Sequence, residues 1–163
     1  TTFDQDAIEA LSYAVAEALR KKRIERRLGL QAQEILQLST PVIQVWDRIV
    51  AAPLIGTFDT GRAQRFMEGL LESIVRTRAS VALVDITGVA AMDTQIAQHL
   101  IETIGAVKLL GSQVILTGVS PQIAQTLAHL GIDLTGITTQ ASLAAGLREA
   151  MDSLHLEVVD RKK

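Results

Sequence analysis

The 163-residue chain contains no cysteine. That excludes disulfides, thiol nucleophiles and cysteine-based metal sites, and it fits a reducing compartment. Aromatic residues are scarce too, at 3%, so any core must be built from aliphatic side chains. No apolar run comes near the ~20 residues that cross a bilayer. The opening Thr1-Thr2-Phe3-Asp4 has neither the basic nor the apolar region of a secretory signal. A formal net charge of −2 supplies no bulk field to draw in nucleic acid or an anionic membrane. What the chain does have is apolar surface, 48% of its residues, enough for one sizeable core. The expectation is a soluble cytoplasmic chain of one domain with an appendage.

Residues 4 to about 38 read as helix. Ile8, Leu11, Val15 and Leu19 recur at helical spacing, and Ala7, Ala10, Ala14 and Ala18 favour that state. A basic block from Arg20 to Arg27 follows, read as a solvated face or, less simply, as a site for acidic partners. An isolated helix cannot bury such an apolar stripe, so it needs a partner helix or a neighbouring domain. Ser39-Thr40-Pro41 ends the pattern, because the residue before proline avoids the helical region. Val42–Val45 and Ile49–Gly56 are then β-type runs around Asp47-Arg48, a predicted hairpin. Pro53 points to an edge strand or an irregular strand end, and Trp46 to packing at the sheet margin.

The rest alternates helix and strand. Ala63, Phe66, Leu70 and Ile74 trace one helical face behind Asp59 or Thr60 as cap. Val81–Ile86 reads as a buried strand, and Ala97, Leu100, Ile104 and Val107 as a second helical face stopped by Gly111. A buried strand at Val114–Leu116 leads to a helix opened by Ser120-Pro121 and stopped by Gly131. A short strand near Gly136 to Thr138 precedes a last helix through Leu147 and Met151, and Asp160 to Lys163 reads as a frayed tail. This order predicts an α/β sandwich: a mostly parallel mixed sheet with one antiparallel hairpin, covered by helices. Sites in such folds gather at the carboxyl ends of the strands.

Catalytic chemistry finds little support. His99, His129 and His155 stand in no metal-ligand spacing, and surface or structural roles suffice for all three. No Walker or dinucleotide glycine loop is present. Gly118-Val119-Ser120-Pro121-Gln122 starts like a nucleophile elbow but lacks its last glycine. A phospho-receiver would need an acidic pair after the first strand, and Asp85 has no such cluster. The segment that stands out is Asp85-Ile86-Thr87-Gly88-Val89-Ala90-Ala91-Met92-Asp93-Thr94, which joins a buried strand to an amphipathic helix. Asp93 is placed to cap that helix and Thr94 to be its first residue. On the residues alone two readings stand. One is an ordinary Asp-Thr helix start. The other is a phosphoswitch, since phosphate at a helix N-terminus meets free N–H groups and the positive dipole end.

The stretch from Ser39 to about Met151 resembles the STAS domain (anti-sigma-factor-antagonist fold) of RsbR-type scaffold proteins of the bacterial stressosome. The resemblance rests on Leu38-Ser39-Thr40-Pro41-Val42-Ile43, Pro53-Leu54-Ile55-Gly56, Asp85-Ile86-Thr87-Gly88-Val89 with Asp93-Thr94, and Gly118 to Thr126 continuing through Leu130-Gly131-Ile132-Asp133-Leu134. It implies a STAS-type fold with a linker/dimerisation helix at 1–38, the domain at 39–155 and a flexible tail at 156–163. It also implies a non-enzymatic stress-signalling scaffold that sequesters and releases a switch serine/threonine kinase. Such a scaffold assembles with itself, as dimer and larger species, and with a small single-domain STAS protein. It carries the phosphoacceptor onto Thr94, with Thr126 as a second acceptor that also reads as a plain helix-surface residue. Asp85 and Asp93 become supports of the switch loop. No catalytic residue, metal or cofactor is implied. Family scaffolds carry an N-terminal sensor domain, and 38 residues are too few for one. The expectation is either a linker helix cut from a longer protein or a short family variant. The alternative reading is a small-molecule or nucleotide-binding α/β regulatory domain.

Overall fold

The computed structural model describes residues 2–3, 5–28, 41–131 and 136–158. In chain order the elements are β1 (Thr2–Phe3), α1 (Gln5–Leu28), β2 (Ile43–Trp46), β3 (Ile49–Ile55), α2 (Thr60–Thr77), β4 (Val81–Gly88), α3 (Thr94–Leu109), β5 (Gln113–Thr117), α4 (Pro121–His129), β6 (Thr138–Gln140), α5 (Leu143–Ser153) and β7 (Glu157–Val158). The expected continuation of the first helix to about residue 38, Ile132 to Leu134, and the tail from Asp160 lie outside the described residues.

Strands β2 to β6 form one sheet in chain order. β2 and β3 are antiparallel, and the three later pairings are parallel. The hairpin turns at Asp47-Arg48, with Arg48 at φ 65. Its carbonyl accepts from Ser80 N at 2.8 Å and Val81 N at 3.2 Å, so the turn also seats the start of β4. Trp46 is half-buried on the edge strand, as expected of a residue packing at the sheet margin. Pro53 marks an irregular strand end rather than an edge strand. β2 pairs only as far as Ala51, and the ladder to β4 shifts register between Pro53 and Ile55. The short strand β6 starts at Thr138, two residues later than its expected start near Gly136, because the ladder begins where Thr138 meets Ile115.

Alternation along the central strands sends side chains into two cores, which is why the runs read as continuously apolar. Val50, Ala52, Leu54, Ala82, Val84, Ile86, Val114 and Leu116 face α2, α3 and α4. Ile49, Ala51, Val81, Leu83 and Ile115 face α1 and α5. Gly146 lets α5 approach the sheet, since a Cβ there would lie 2.5 Å from Thr117 Cγ2.

The N-terminal helix finds its partner inside the same chain. Ile8 and Val15 are buried against α5 and the second sheet face, beside Leu147, Ala150 and Met151. Thr2–Phe3 also pairs in parallel with Glu157–Val158, two residues expected to be part of a flexible tail. α1 is therefore a structural layer of the fold over this stretch. Ile8→Ala is expected to cost about 2–4 kcal/mol, the range for emptying a closed aliphatic site. A urea melt would check it, and an unchanged midpoint would mean that α1 is not docked in solution.

Candidate functional site

β4 ends in exposed Thr87 and Gly88, and the chain then crosses to α3 through Val89–Asp93. Two apolar side chains pin that crossing to the core: Val89 and Met92 are buried, while Ala90 and Ala91 between them are exposed. The loop thus has a fixed path with a bare outer surface. Asp93 caps α3, its Oδ1 accepting from Ile96 N at 2.8 Å. Thr94 is the first helical residue and is exposed. Its hydroxyl stands where first-turn N–H groups and the positive end of the helix dipole favour an anion.

Asp85 supports this loop from beneath. Its Oδ1 accepts from Thr87 Oγ1 at 2.8 Å and from Thr117 Oγ1 at 2.7 Å, tying the end of β4 to the end of β5. Thr117 is fully buried. Asp85→Ala would leave that hydroxyl without its acceptor, an expected loss of about 1–3 kcal/mol. Asp85→Asn, which keeps an acceptor oxygen, should lose less. Chemical denaturation of both variants tests this, and equal losses would show that the charge rather than the bond matters.

Gly118 completes the junction. It has φ 75, and a Cβ there would lie 1.9 Å from Thr87 Oγ1 and 2.9 Å from Thr87 N. Its own N–H donates to Gln140 O at 3.2 Å. The loops after β4 and β5 are interlocked at this point, one leading to Thr94 and the other to α4.

Thr126 lies in the second turn of α4, behind the Ser120 cap and Pro121. It is half-buried, and its hydroxyl donates to Gln122 O at 3.2 Å within its own helix. Asp85, Asp93 and Thr94 therefore share one strand-to-helix crossing, and Thr126 belongs to the neighbouring helix. α3 and α4 pack together and leave the carboxyl ends of adjacent strands.

A groove of about 410 Å³ runs beside Asp93, between Gly56, Thr57 and Phe58 on one side and Gly88 and Ala90–Asp93 on the other. The first wall was not legible in the sequence, where Gly56–Phe58 is only a strand-to-helix connection. The histidines lie elsewhere. His99 is half-buried with Nδ1 3.4 Å from Glu102, and His129 and His155 are exposed. Among the described residues no three His, Asp or Glu side chains are grouped to hold a metal ion, and no helix is long and apolar enough to cross a membrane.

Comparison with known proteins matches residues 40–146 to the STAS domain. The chain is 44% identical to the RsbT co-antagonist protein RsbRA of Bacillus subtilis (strain 168), over 85% of this chain and 48% of that protein. It spans about half the length of the curated relatives it matches. Among solved structures it is similar to a Ser→Glu variant of RsbS from Moorella thermoacetica, with a TM-score of 0.64 and 28% identity over 71% of this chain and 97% of that one. A structure from the molecular architecture of the stressosome, a signal integration and transduction hub, has a TM-score of 0.63 and 28% identity, over 70% of this chain and 98% of that one.

Proposed function

The chain belongs to the STAS domain family, and on that premise we propose that it is a phosphorylation-regulated stressosome scaffold of the anti-sigma-factor-antagonist type. It sequesters a switch serine/threonine kinase and releases it when stress signalling phosphorylates Thr94. The observation that carries this reading is the exposed Thr94 hydroxyl, at the capped head of a helix on a crossing held rigid by Asp85. The likeness to a protein named as an RsbT co-antagonist supports it.

In the transfer, Thr94 Oγ forms a bond to the γ-phosphorus of ATP as the bond to the bridging oxygen of ADP breaks. The hydroxyl proton passes to the kinase's base. The chain is the substrate in this step and catalyses nothing itself. The product gains about 1.5–2 negative charges beside the Asp93 carboxylate. The helix terminus tolerates them through its N–H groups and dipole, so α3 persists while the rim becomes more negative. A kinase face docked on the unmodified rim is then repelled.

Thr126 is the second acceptor. Its hydroxyl must first give up the bond to Gln122 O, at a cost of about 0.5–1.5 kcal/mol. The partners are the kinase, a small single-domain STAS protein and further copies of the chain, in a cytoplasmic assembly. The role calls for no cofactor, nucleic acid or membrane.

The test is intact-mass and peptide mass spectrometry after incubation with ATP and the switch kinase, alongside size-exclusion chromatography with the small STAS protein. Phosphate on Thr94 and co-elution are expected. A chain that assembles but stays unmodified would be a purely structural scaffold. One that does neither would return the question to a ligand-binding regulatory domain.

A further inference from the structure

β3 ends at Ile55, and the chain then turns through Gly56–Asp59 before α2 begins. The ladder to β4 ends where Ile55 faces Gly88, ahead of the carbonyls of this connection. Arg62 holds them from the first turn of α2. Its Nη1 donates to Ile55 O at 3.1 Å and to Thr57 O. The start of that side chain is itself fixed, because Arg62 N donates to the capping Asp59 Oδ1 at 2.8 Å. The guanidinium carbon lies 5.8 Å from the Phe58 ring centroid. Phe58 in turn meets Phe66 edge-on, with centroids 6.0 Å apart, and Phe66 is buried in the larger core. A continuous set of contacts therefore runs from the core, through two aromatic rings and a guanidinium, to the backbone of residues 55–57.

Gly56, Thr57 and Phe58 form the wall of the groove that faces the loop leading to Thr94. Between the buried Val89 and Met92 the loop's outer surface offers Ala90 and Ala91, short side chains that give a partner little to grip. A kinase that must bring ATP to a hydroxyl at a helix head needs a second rigid surface to set its approach.

We propose that Arg62 is a positioning residue for the phosphorylation of Thr94: by clamping the Gly56–Phe58 wall it sets the docking surface that the kinase reads beside its acceptor. The proposal rests on Thr94 being that acceptor. Arg62 touches neither the hydroxyl nor ATP, so its removal weakens association and spares the chemical step. Arginine suits the task because Nη1 serves two acceptors while the guanidinium carbon lies over the Phe58 ring. Lysine offers a point charge without that geometry.

The experiment measures initial rates of Thr94 phosphorylation against chain concentration, at saturating ATP, for the wild type, R62Q, R62K and F58L. A loss of shared ground-state and transition-state contacts raises KM and leaves kcat in place. R62Q is expected to raise KM about tenfold with kcat within about twofold, the pattern of lost uniform binding. R62K is expected to recover part of the loss, and F58L, which removes the ring, to show a smaller rise. No incorporation into the wild type would overturn the reading of Thr94 and this proposal with it. Incorporation at equal KM in the wild type and R62Q, or a loss confined to kcat, would overturn the role of Arg62 alone. If circular dichroism shows that R62Q does not fold, F58L decides, and an unchanged KM there overturns the proposal.

Discussion

Thr94→Ala is expected to abolish phosphate incorporation at the head of α3 while the protein keeps its fold. The side chain is exposed and lies one position beyond the cap, where Asp93 Oδ1 already serves the Ile96 N–H. Exposed substitutions of this kind stay within about 0.5 kcal/mol, which for a chain of this size moves the melting temperature by about 1–2 °C. Peptide mass spectrometry reads the first effect and calorimetry the second. A variant that unfolds would instead make Thr94 a structural residue. Thr94→Asp should weaken retention of the kinase without a kinase reaction, because it sets a carboxylate beside Asp93. Its effect should be smaller than that of phosphate, which brings more charge and three acceptor oxygens. Tight kinase binding by both the Asp variant and the phosphorylated chain would remove charge repulsion from the mechanism.

Gly118→Ala is expected to be the most destabilising change of a single methyl group near the site. Two costs add. The residue sits at φ 75, where any side chain loses about 1 kcal/mol relative to glycine. The new methyl would also meet Thr87 at 1.9 Å from Oγ1 and 2.9 Å from both Cβ and the backbone N, and overpacking of this kind costs about 1–3 kcal/mol. Together they come to about 2–4 kcal/mol, a fall in melting temperature of roughly 5–15 °C. Thr87→Gly in the same chain should restore part of the packing share and none of the dihedral share. The loss should reach the site as well, because Thr87 also bonds Asp85 Oδ1. Faster amide exchange in residues 87–93 is therefore expected before α3 itself loosens. A melting temperature unchanged in Gly118→Ala would show that the two loops slide past each other freely and that the interlock is not rigid.

The parts of this architecture that were legible in the sequence are those made by neighbours in the chain. Capping is one: Asp59, Asp93 and Ser120 each bond an N–H three residues on, so the cap and its helix are readable together. The hairpin at Asp47-Arg48 and the apolar strands are legible for the same reason. The expectation for the N-terminal helix was half met. Its need for a partner followed from the stripe of Ile8 and Val15, but nothing in the stripe says whether the partner is another copy or α5. The pairing of β1 with β7 joins residues from opposite ends of the chain, and no periodicity announces such a meeting.

At the site the division is the same. The sequence by itself determined that an exposed Asp93-Thr94 pair opens an amphipathic helix after a buried strand, because propensity, capping and burial pattern are local properties of a short segment. Only the tertiary structure decided what surrounds that pair: Asp85 reaching Thr117 on the neighbouring strand, Gly118 pressed against Thr87, and Arg62 clamping the facing wall. Those contacts depend on sheet order and register, which place residues far apart in the chain within hydrogen-bond distance, and packing of the whole domain sets both.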